Sequence, residues 1–181
     1  MEYDHLRNSL NAGRVRRFHT AVEIPPQSVA EHSFGVALIV EYLHSKSVKP
    51  SGSDFSGRLM RHALKHDLSE YFTADIPSPV RKKFDDDEFN DMADEFAETK
   101  LGYIPPEKGS LVYDYVRMAD KLEALRYFCQ LWGEGNRVAQ HYARLQLRSI
   151  NEMGVGSPAQ ELAESFVAEA MEEVPSAPSA S

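Results

Sequence analysis

Apolar residues recur every three or four positions along most of this 181-residue chain. That spacing places them on one face of an α-helix, and no segment alternates apolar and polar residues as a half-buried strand would. Glycine and proline interrupt the pattern at intervals, for example at Gly13, Gly102 and Pro105–Pro106, and such breaks mark the ends of successive helices. The sequence therefore predicts an all-α fold of roughly seven or eight helices.

The helix boundaries follow from local capping signals. Ser28 and Glu31 have the spacing of a capping box, in which each side chain binds the other residue's backbone N–H. Gly102 fits a C-terminal stop, and Ser110 fits an N-cap. The predicted helices cover residues 3–13, 28–47, 54–66, 85–101, 110–132, 136–153 and a last segment that begins at Ser157–Pro158.

Length and composition limit the organisation of the chain and its location. The length fits one compact domain, predicted at residues 1–174, and the Pro, Ser and Ala residues of 175–181 predict a flexible tail. The longest apolar run, Val36–Val40, is too short to cross a bilayer, and the N-terminus lacks the pattern of a signal peptide. Cys129 is the single cysteine, so no internal disulfide forms. We expect a cytoplasmic protein without a membrane partner.

The distribution of charge bears on the ligand. The formal net charge of −8 disfavours nucleic acid as a partner. Within this acidic chain, basic residues cluster at 14–17 and at 81–83. Each cluster is either a solvated surface or part of a site for an anionic ligand, and composition alone leaves both interpretations open.

Four residues have side chains suited to hold a metal ion. His32 lies one turn into the helix that the capping box opens, His66 and Asp67 end the next helix, and Asp120 lies among apolar residues in the long helix. A carboxylate in such surroundings is costly unless it is paired or bound to a cation. Two imidazoles with two carboxylates suit Mn, Fe, Co, Zn or Mg. An ion pair with a neighbouring basic residue is the alternative for Asp120.

The order and spacing of these residues resemble the H…HD…D signature of HD-domain phosphohydrolases. Residues 66–80, HDLSEYFTADIPSPV, resemble the HDxSExxTGDxPTPVK stretch of bacterial 5′-deoxynucleotidases, with Ala74 in place of a glycine and Ser78 in place of a threonine. Arg17–Phe18 and SVAEHS at residues 28–33 are similar to the RW…VSEHS of the same enzymes, with Phe18 in place of tryptophan. The similarity extends over residues of about 14–128, and it implies an HD-domain helical bundle.

A second branch of the superfamily is also similar. The segment GRVRRFHT at residues 13–20 and the short chain resemble dATP triphosphohydrolases of phages that replace adenine with 2-aminoadenine. Those enzymes convert dATP to deoxyadenosine and triphosphate. We therefore favour a dATP triphosphohydrolase, in the host cytoplasm if phage-encoded. The alternatives are a 5′-deoxynucleotidase acting on deoxynucleoside 5′-monophosphates and a nucleotide-binding regulator without turnover. A homo-oligomer, dimeric or hexameric, is expected.

The resemblance also implies roles for individual residues. Glu70 and Asp75 are the expected catalytic carboxylates, and they would otherwise be interpreted as a helix-surface charge and a loop cap. The expected ligands of a divalent ion (Mn, Co, Zn, Mg or Fe) are His32, His66, Asp67 and Asp120. The expected substrate-binding residues are Arg16, Arg17, Phe18, Thr20, Arg81 and Lys82. The roles of His19 and His62 stay open, and His62 is interpreted as a packed or surface histidine.

Overall fold

The computed structural model describes residues 2–46, 53–74, 86–153 and 157–173. Within these ranges the regular secondary structure is helical apart from one pair of two-residue strands. The elements are α1 (Glu2–Ala12), β1 (Arg16–Arg17), β2 (Gln27–Ser28), α2 (Val29–Ser45), α3 (Ser53–Lys65), α4 (Glu70–Thr73), α5 (Asp86–Leu101), α6 (Leu111–Gly133), α7 (Arg137–Glu152) and α8 (Ser157–Glu173). They confirm the all-α prediction. No helix in the described ranges is long and apolar enough to span a membrane.

The chain divides into two compact units, residues 1–116 and 117–181. In the first unit, α2 packs against α3, and α1 packs against α5 and α4. A buried cluster in this unit contains Ala12, Leu68, Ala97, Leu101 and Tyr103. Leu68 directly follows Asp67 in the chain, so this cluster anchors the backbone beside one of the predicted ligands.

Helix α2 begins where the sequence predicts. The Glu31 backbone N–H donates to Ser28 Oγ at 3.2 Å, and the Ser28 N–H donates to a Glu31 carboxylate oxygen at 2.7 Å. These two bonds satisfy donors that the first turn of a helix otherwise leaves unpaired. They fix the start of the helix and therefore the direction in which His32, one turn later, projects.

Helix α5 also ends at the predicted glycine. Gly102 has φ +58°, a left-handed conformation that glycine adopts at little energetic cost because it has no Cβ. The side chain of His5 lies against its Cα, where a Cβ would come within 2.6 Å of His5 Nδ1. Asn8 Nδ2 donates to the Lys100 carbonyl at 3.0 Å. Two side chains of α1 therefore hold the C-terminus of α5.

The second unit contains most of α6, together with α7 and α8. Asn136 caps α7 by accepting hydrogen bonds at 3.0 Å from the N–H groups of both Val138 and Ala139. Phe128 on α6 stacks on Tyr142 of α7, with ring centroids 5.2 Å apart, and α7 packs against α8. Cys129 is buried and forms no disulfide, as expected.

Three local features differ from the sequence prediction. The segment 22–27 contributes Gln27 to a short antiparallel pair with β1, in the register Arg16↔Ser28 and Arg17↔Gln27. Helix α3 ends at Lys65, so His66 and Asp67 lie in the turn that follows it. The four-residue helix α4 then begins at Glu70. The predicted loop at 75–79 and the tail at 175–181 lie outside the described residues.

Candidate metal centre

Three of the predicted ligands meet in the first unit. His32 is fully buried on α2, and its Nε2 lies 3.2 Å from His66 Nε2. Oδ2 of Asp67 lies 3.4 Å from each of these nitrogens. With metal–ligand bonds of about 2.1 Å, neighbouring ligand atoms are separated by about 3.0 Å in octahedral and about 3.4 Å in tetrahedral coordination. The observed separations therefore fit a single divalent ion.

The orientation of His66 supports this fit. Its Nδ1 lies 2.8 Å from the carbonyl oxygen of Ala63 in the preceding turn. Nδ1–H donates to this carbonyl, which fixes the ring with Nε2 directed toward His32 and Asp67. Metal-binding histidines commonly have this arrangement, because the second hydrogen bond fixes the tautomer and the ring.

Asp120 is the fourth predicted ligand and belongs to the second unit. It lies on α6 with a half-buried side chain. Two imidazole nitrogens and two carboxylate oxygens form a donor set of mixed hardness that accepts first-row divalent ions.

The electrostatics of Asp67 favour the ionised ligand. Burial alone would raise the pKa of this carboxyl, but His66, through its charge and its hydrogen bond, together with Arg17 and His32, lowers the pKa well below its usual range. Arg17 Nε lies 4.0 Å from Asp67 Oδ2, and the Arg17 side chain is only 11% exposed. Asp67 is therefore a carboxylate at neutral pH, as metal binding requires.

Arg17 is the last residue of β1, and Phe18 directly follows it. Phe18 has φ +62°, which is unusual for a large side chain. Its ring lies 5.3 Å from the Arg17 guanidinium carbon in a cation–π contact. Strained backbone of this kind clusters at functional sites, where the surrounding structure holds it in place. Arg17 and Phe18 are therefore a fixed unit beside Asp67.

The remaining predicted substrate-binding residues have different surroundings. Arg16 is exposed, and its guanidinium lies 3.7 Å from the Glu31 carboxylate. Thr20 is exposed in the loop that follows. Arg81 and Lys82 lie outside the described residues. Among the described members of this predicted set, Arg17 is the one with an ion pair to a predicted metal ligand, Asp67.

Glu70 is placed by a tight turn rather than by a continuous helix. Asp67 and Glu70 do not lie in one helix, because α3 ends at Lys65 and α4 begins at Glu70. The Glu70 N–H nevertheless donates to the Asp67 carbonyl at 3.0 Å, closing a three-residue turn. This hydrogen bond fixes the backbone spacing between Asp67 and Glu70. The other predicted catalytic residue, Asp75, lies outside the described residues.

Sequence reasoning did not identify Tyr103. This residue is buried, and its hydroxyl lies 3.1 Å from His62 Nδ1. Burial and the charges of Asp94 and Asp67 raise the pKa of Tyr103 above its usual range. His62 is half-buried and is not in the His/Asp group found among the described residues. Burial and neighbouring basic residues, Arg61 first, lower the pKa of His62. No motif in the sequence points to this pair.

Comparison with known proteins identifies the family. The model of the family described as "5′-deoxynucleotidase YfbR-like" matches residues 10–174, which is most of the chain. The chain belongs to this family. This YfbR-like protein is 30% identical over 152 residues to a dATP triphosphohydrolase of Salmonella phage PMBT28, covering 81% of this chain and 74% of the relative. It is also 34% identical over 68 residues to the 5′-deoxynucleotidase VP0926 of Vibrio parahaemolyticus, covering 37% of this chain and 35% of that protein.

Solved structures share the fold of this YfbR-like protein. The PH0347 protein of Pyrococcus horikoshii OT3 matches with a TM-score of 0.70 at 24% identity, over 92% of this chain and 99% of that one. The HD phosphohydrolase DatZ of cyanophage S-2L, solved with dA and one catalytic Zn²⁺ ion, matches with a TM-score of 0.61 at 18% identity, over 92% and 96% of the two chains. The YfbR-like protein is an HD-domain phosphohydrolase with a His/Asp group that can hold its divalent ion.

Proposed function

We propose that this phosphohydrolase is a dATP triphosphohydrolase, which releases deoxyadenosine and triphosphate. The observation that carries the proposal is the 30% identity to the phage dATP triphosphohydrolase over 152 residues. The match to the Vibrio 5′-deoxynucleotidase extends over 68 residues. The phage enzyme therefore resembles the chain across a much larger part of its length.

In this proposal His32, His66, Asp67 and Asp120 hold the divalent ion. Bound there, the ion neutralises phosphate charge and lowers the pKa of a coordinated water. The separations of 3.2–3.4 Å among the three ligands of the first unit support the assignment. The hydrogen bond from His66 Nδ1–H to the Ala63 carbonyl also supports the assignment, because it fixes the ring with Nε2 directed toward His32 and Asp67.

Glu70 is the proposed group that orients or deprotonates the attacking water. The tight turn that the Glu70 N–H closes onto the Asp67 carbonyl keeps Glu70 close in the chain to a proposed metal ligand, which supports this role. Asp75 is the proposed second acid/base carboxylate, which protonates the leaving 5′-oxygen. Its position five residues after Glu70 makes it available on the following segment.

Arg17 and Phe18 are the proposed contacts to the nucleotide. The Arg17 guanidinium is planar and always charged, and a contact with Asp67 holds it beside the centre. It is suited to bind oxygens of the phosphate under attack. Phe18 is proposed to pack against C2′ of the sugar, where a 2′-hydroxyl would collide with it. Arg16, Thr20, Arg81 and Lys82 are proposed to extend the site toward the rest of the triphosphate.

A 5′-deoxynucleotidase acting on monophosphates is the second candidate, favoured by the description of the family. Both reactions break the bond between the 5′-oxygen and the adjacent phosphorus, and they differ only in what that phosphorus carries. The metal ligands and Glu70 would serve either reaction equally. Side chains that contact the second and third phosphates therefore decide between them, and Arg81 and Lys82 are the proposed ones.

The deciding experiment identifies products. The protein, supplied with Mn²⁺ or Co²⁺, is incubated with each dNTP and each dNMP, and products are separated by anion-exchange chromatography. We expect triphosphate and deoxyadenosine from dATP, and no products from Asp67→Ala, which serves as the control for contaminating phosphatases. Phosphate release from dAMP without triphosphate release from dATP would decide for the nucleotidase. Binding of nucleotides without turnover would decide for a regulator.

Arg81→Ala provides the matched test of substrate length. If Arg81 contacts the outer phosphates, the variant loses kcat/KM for dATP far more than for dAMP, because only the longer anion reaches it. An equal loss on both substrates would remove Arg81 from the proposed site. A single domain over residues 1–174, a cytoplasmic location and a homo-oligomer, dimeric or hexameric, stay predictions.

A further inference from the structure

Tyr103 is connected to the chain on both sides of two proposed metal ligands. Its hydroxyl lies 3.1 Å from Nδ1 of His62, which precedes His66 by four residues. Its ring belongs to the same buried cluster as Leu68, the residue directly after Asp67. The Tyr103 side chain therefore links the segment before these two ligands to the segment after them.

The end of α5 fixes the backbone at Tyr103. The Tyr103 N–H donates to the Ala97 carbonyl at 3.0 Å, so the chain folds back on the last turn of α5 after the left-handed Gly102. Asn8 of α1 holds the same terminus by its hydrogen bond to the Lys100 carbonyl. Tyr103 is 4% exposed, so its ring is packed as well. Its hydroxyl is therefore a fixed point against which α3 can be held.

The last turn of α3 connects His62 to a metal ligand. Ala63 directly follows His62 and is fully buried, and its carbonyl accepts the hydrogen bond from His66 Nδ1–H at 2.8 Å. The Leu68 N–H donates to the Lys65 carbonyl at 3.1 Å, so the turn that carries the ligands continues directly from this helical turn. Any shift of the last turn of α3 therefore moves the carbonyl that orients the His66 ring.

We propose that Tyr103 is a positioning residue, which acts through its hydrogen bond to His62 and holds the His66 ring in the orientation that binds the metal. Burial and neighbouring basic residues lower the pKa of His62, and burial raises the pKa of Tyr103. At neutral pH an uncharged imidazole therefore faces a protonated phenol, and the phenol can donate to Nδ1. The role proposed for Tyr103 rests on the proposed metal ligands and is independent of the substrate.

A hydrogen bond at this position does something that apolar packing does not. Replacing both partners of a buried hydrogen bond by apolar groups of the same shape leaves stability nearly unchanged. The hydrogen bond, however, also fixes the separation and direction of the two side chains. A positioning role and a purely structural role therefore predict different behaviour when both partners are made apolar.

Titration of the metal-free protein with Co²⁺, followed by visible absorption, measures metal affinity and ligand geometry without any substrate. We expect Tyr103→Phe to bind Co²⁺ about threefold to tenfold more weakly than the wild type, with shifted absorption bands. Groups that directly orient metal ligands contribute about tenfold to a hundredfold, and Tyr103 acts one step further away. His62→Asn keeps a hydrogen-bonding atom near the position of Nδ1, so it should bind Co²⁺ more tightly than His62→Phe. The matched control is Tyr115→Phe, which removes the hydroxyl of another tyrosine in the first unit and should bind like the wild type.

The double variant Tyr103→Phe/His62→Phe separates positioning from stability. It leaves neither partner of the hydrogen bond unpaired, so its urea midpoint should recover toward that of the wild type, while its Co²⁺ affinity should stay as low as in Tyr103→Phe. Unchanged Co²⁺ affinity in Tyr103→Phe, or recovery of affinity together with stability in the double variant, would overturn the proposal. Asp67→Ala tests the ligands themselves. If it retains Co²⁺, the ligand assignment is wrong and the role of Tyr103 falls with it; if it loses Co²⁺ while Tyr103→Phe binds normally, only the role of Tyr103 is wrong.

Discussion

Replacing Ala74 by glycine should stabilise the protein, although alanine-to-glycine changes normally destabilise. Ala74 follows α4 with φ +55° and ψ 177°, a combination that essentially only glycine adopts freely. A residue with Cβ held there costs about 1–3 kcal/mol. Glycine removes that cost but gives the unfolded chain more freedom, which destabilises by about 0.4–1 kcal/mol. Ala74 is exposed, so little packing is lost. The expected net gain is about 1 kcal/mol.

Urea denaturation monitored by circular dichroism measures this change. The matched control is Ala168→Gly, at an exposed position within α8, which should lose about 1 kcal/mol because glycine is a poor helix former. Both variants replace alanine by glycine. Opposite signs of the change in the free energy of unfolding would therefore be due to the backbone conformation at position 74. A loss of stability in Ala74→Gly equal to that in Ala168→Gly would refute the argument. The bacterial deoxynucleotidase motif has glycine at this position, which the expected gain would explain.

The other predictions concern the proposed site. Asp67→Ala and His66→Ala should each lose bound metal and activity together, measured by metal analysis after dialysis and by turnover, and full metal content in both would contradict the assignment. Glu70→Gln should keep the metal while kcat falls about a hundredfold or more; loss of metal in this variant would make Glu70 structural or a ligand. Phe18→Ala should narrow the preference for dATP over ATP, since an unpaired buried hydroxyl costs about 1–3 kcal/mol. Equal use of ATP and dATP by the wild type would remove the steric argument.

The sequence predicts the helices well because their ends carry explicit chemical signals. The Ser28–Glu31 box, the glycine at 102 and the cap at Asn136 each satisfy backbone groups locally, so no knowledge of the tertiary structure is needed to find them. Helix α4 escapes prediction because four residues are too few to display a period. The pairing of β1 with β2 escapes it because two residues on each strand form no alternating pattern.

The site is predicted only in part, because a sequence displays local motifs but not contacts between residues that are far apart in the chain. His32, His66 and Asp67 belong to a motif, and the structure brings them within 3.2–3.4 Å of one another. The contact between His62 and Tyr103 joins residues 41 positions apart, and neither position carries a local signal. Glu123 is buried and accepts a hydrogen bond from Arg126 at 3.1 Å. The sequence likewise does not predict that this carboxylate is buried.

The turn that joins Asp67 to Glu70 makes the length of this segment matter more than its composition. Each residue in such a turn rotates the chain by about 120° about its axis. One inserted residue would therefore rotate the Glu70 side chain by about a third of a revolution relative to Asp67. Ser69, only half-buried in the middle of the turn, contributes spacing rather than chemistry. The identity of residue 69 can therefore vary in evolution, whereas an insertion or deletion between residues 67 and 70 would change the direction of the Glu70 side chain relative to Asp67 in a single event. The HDxxE spacing is therefore expected to be inherited as one unit of fixed length.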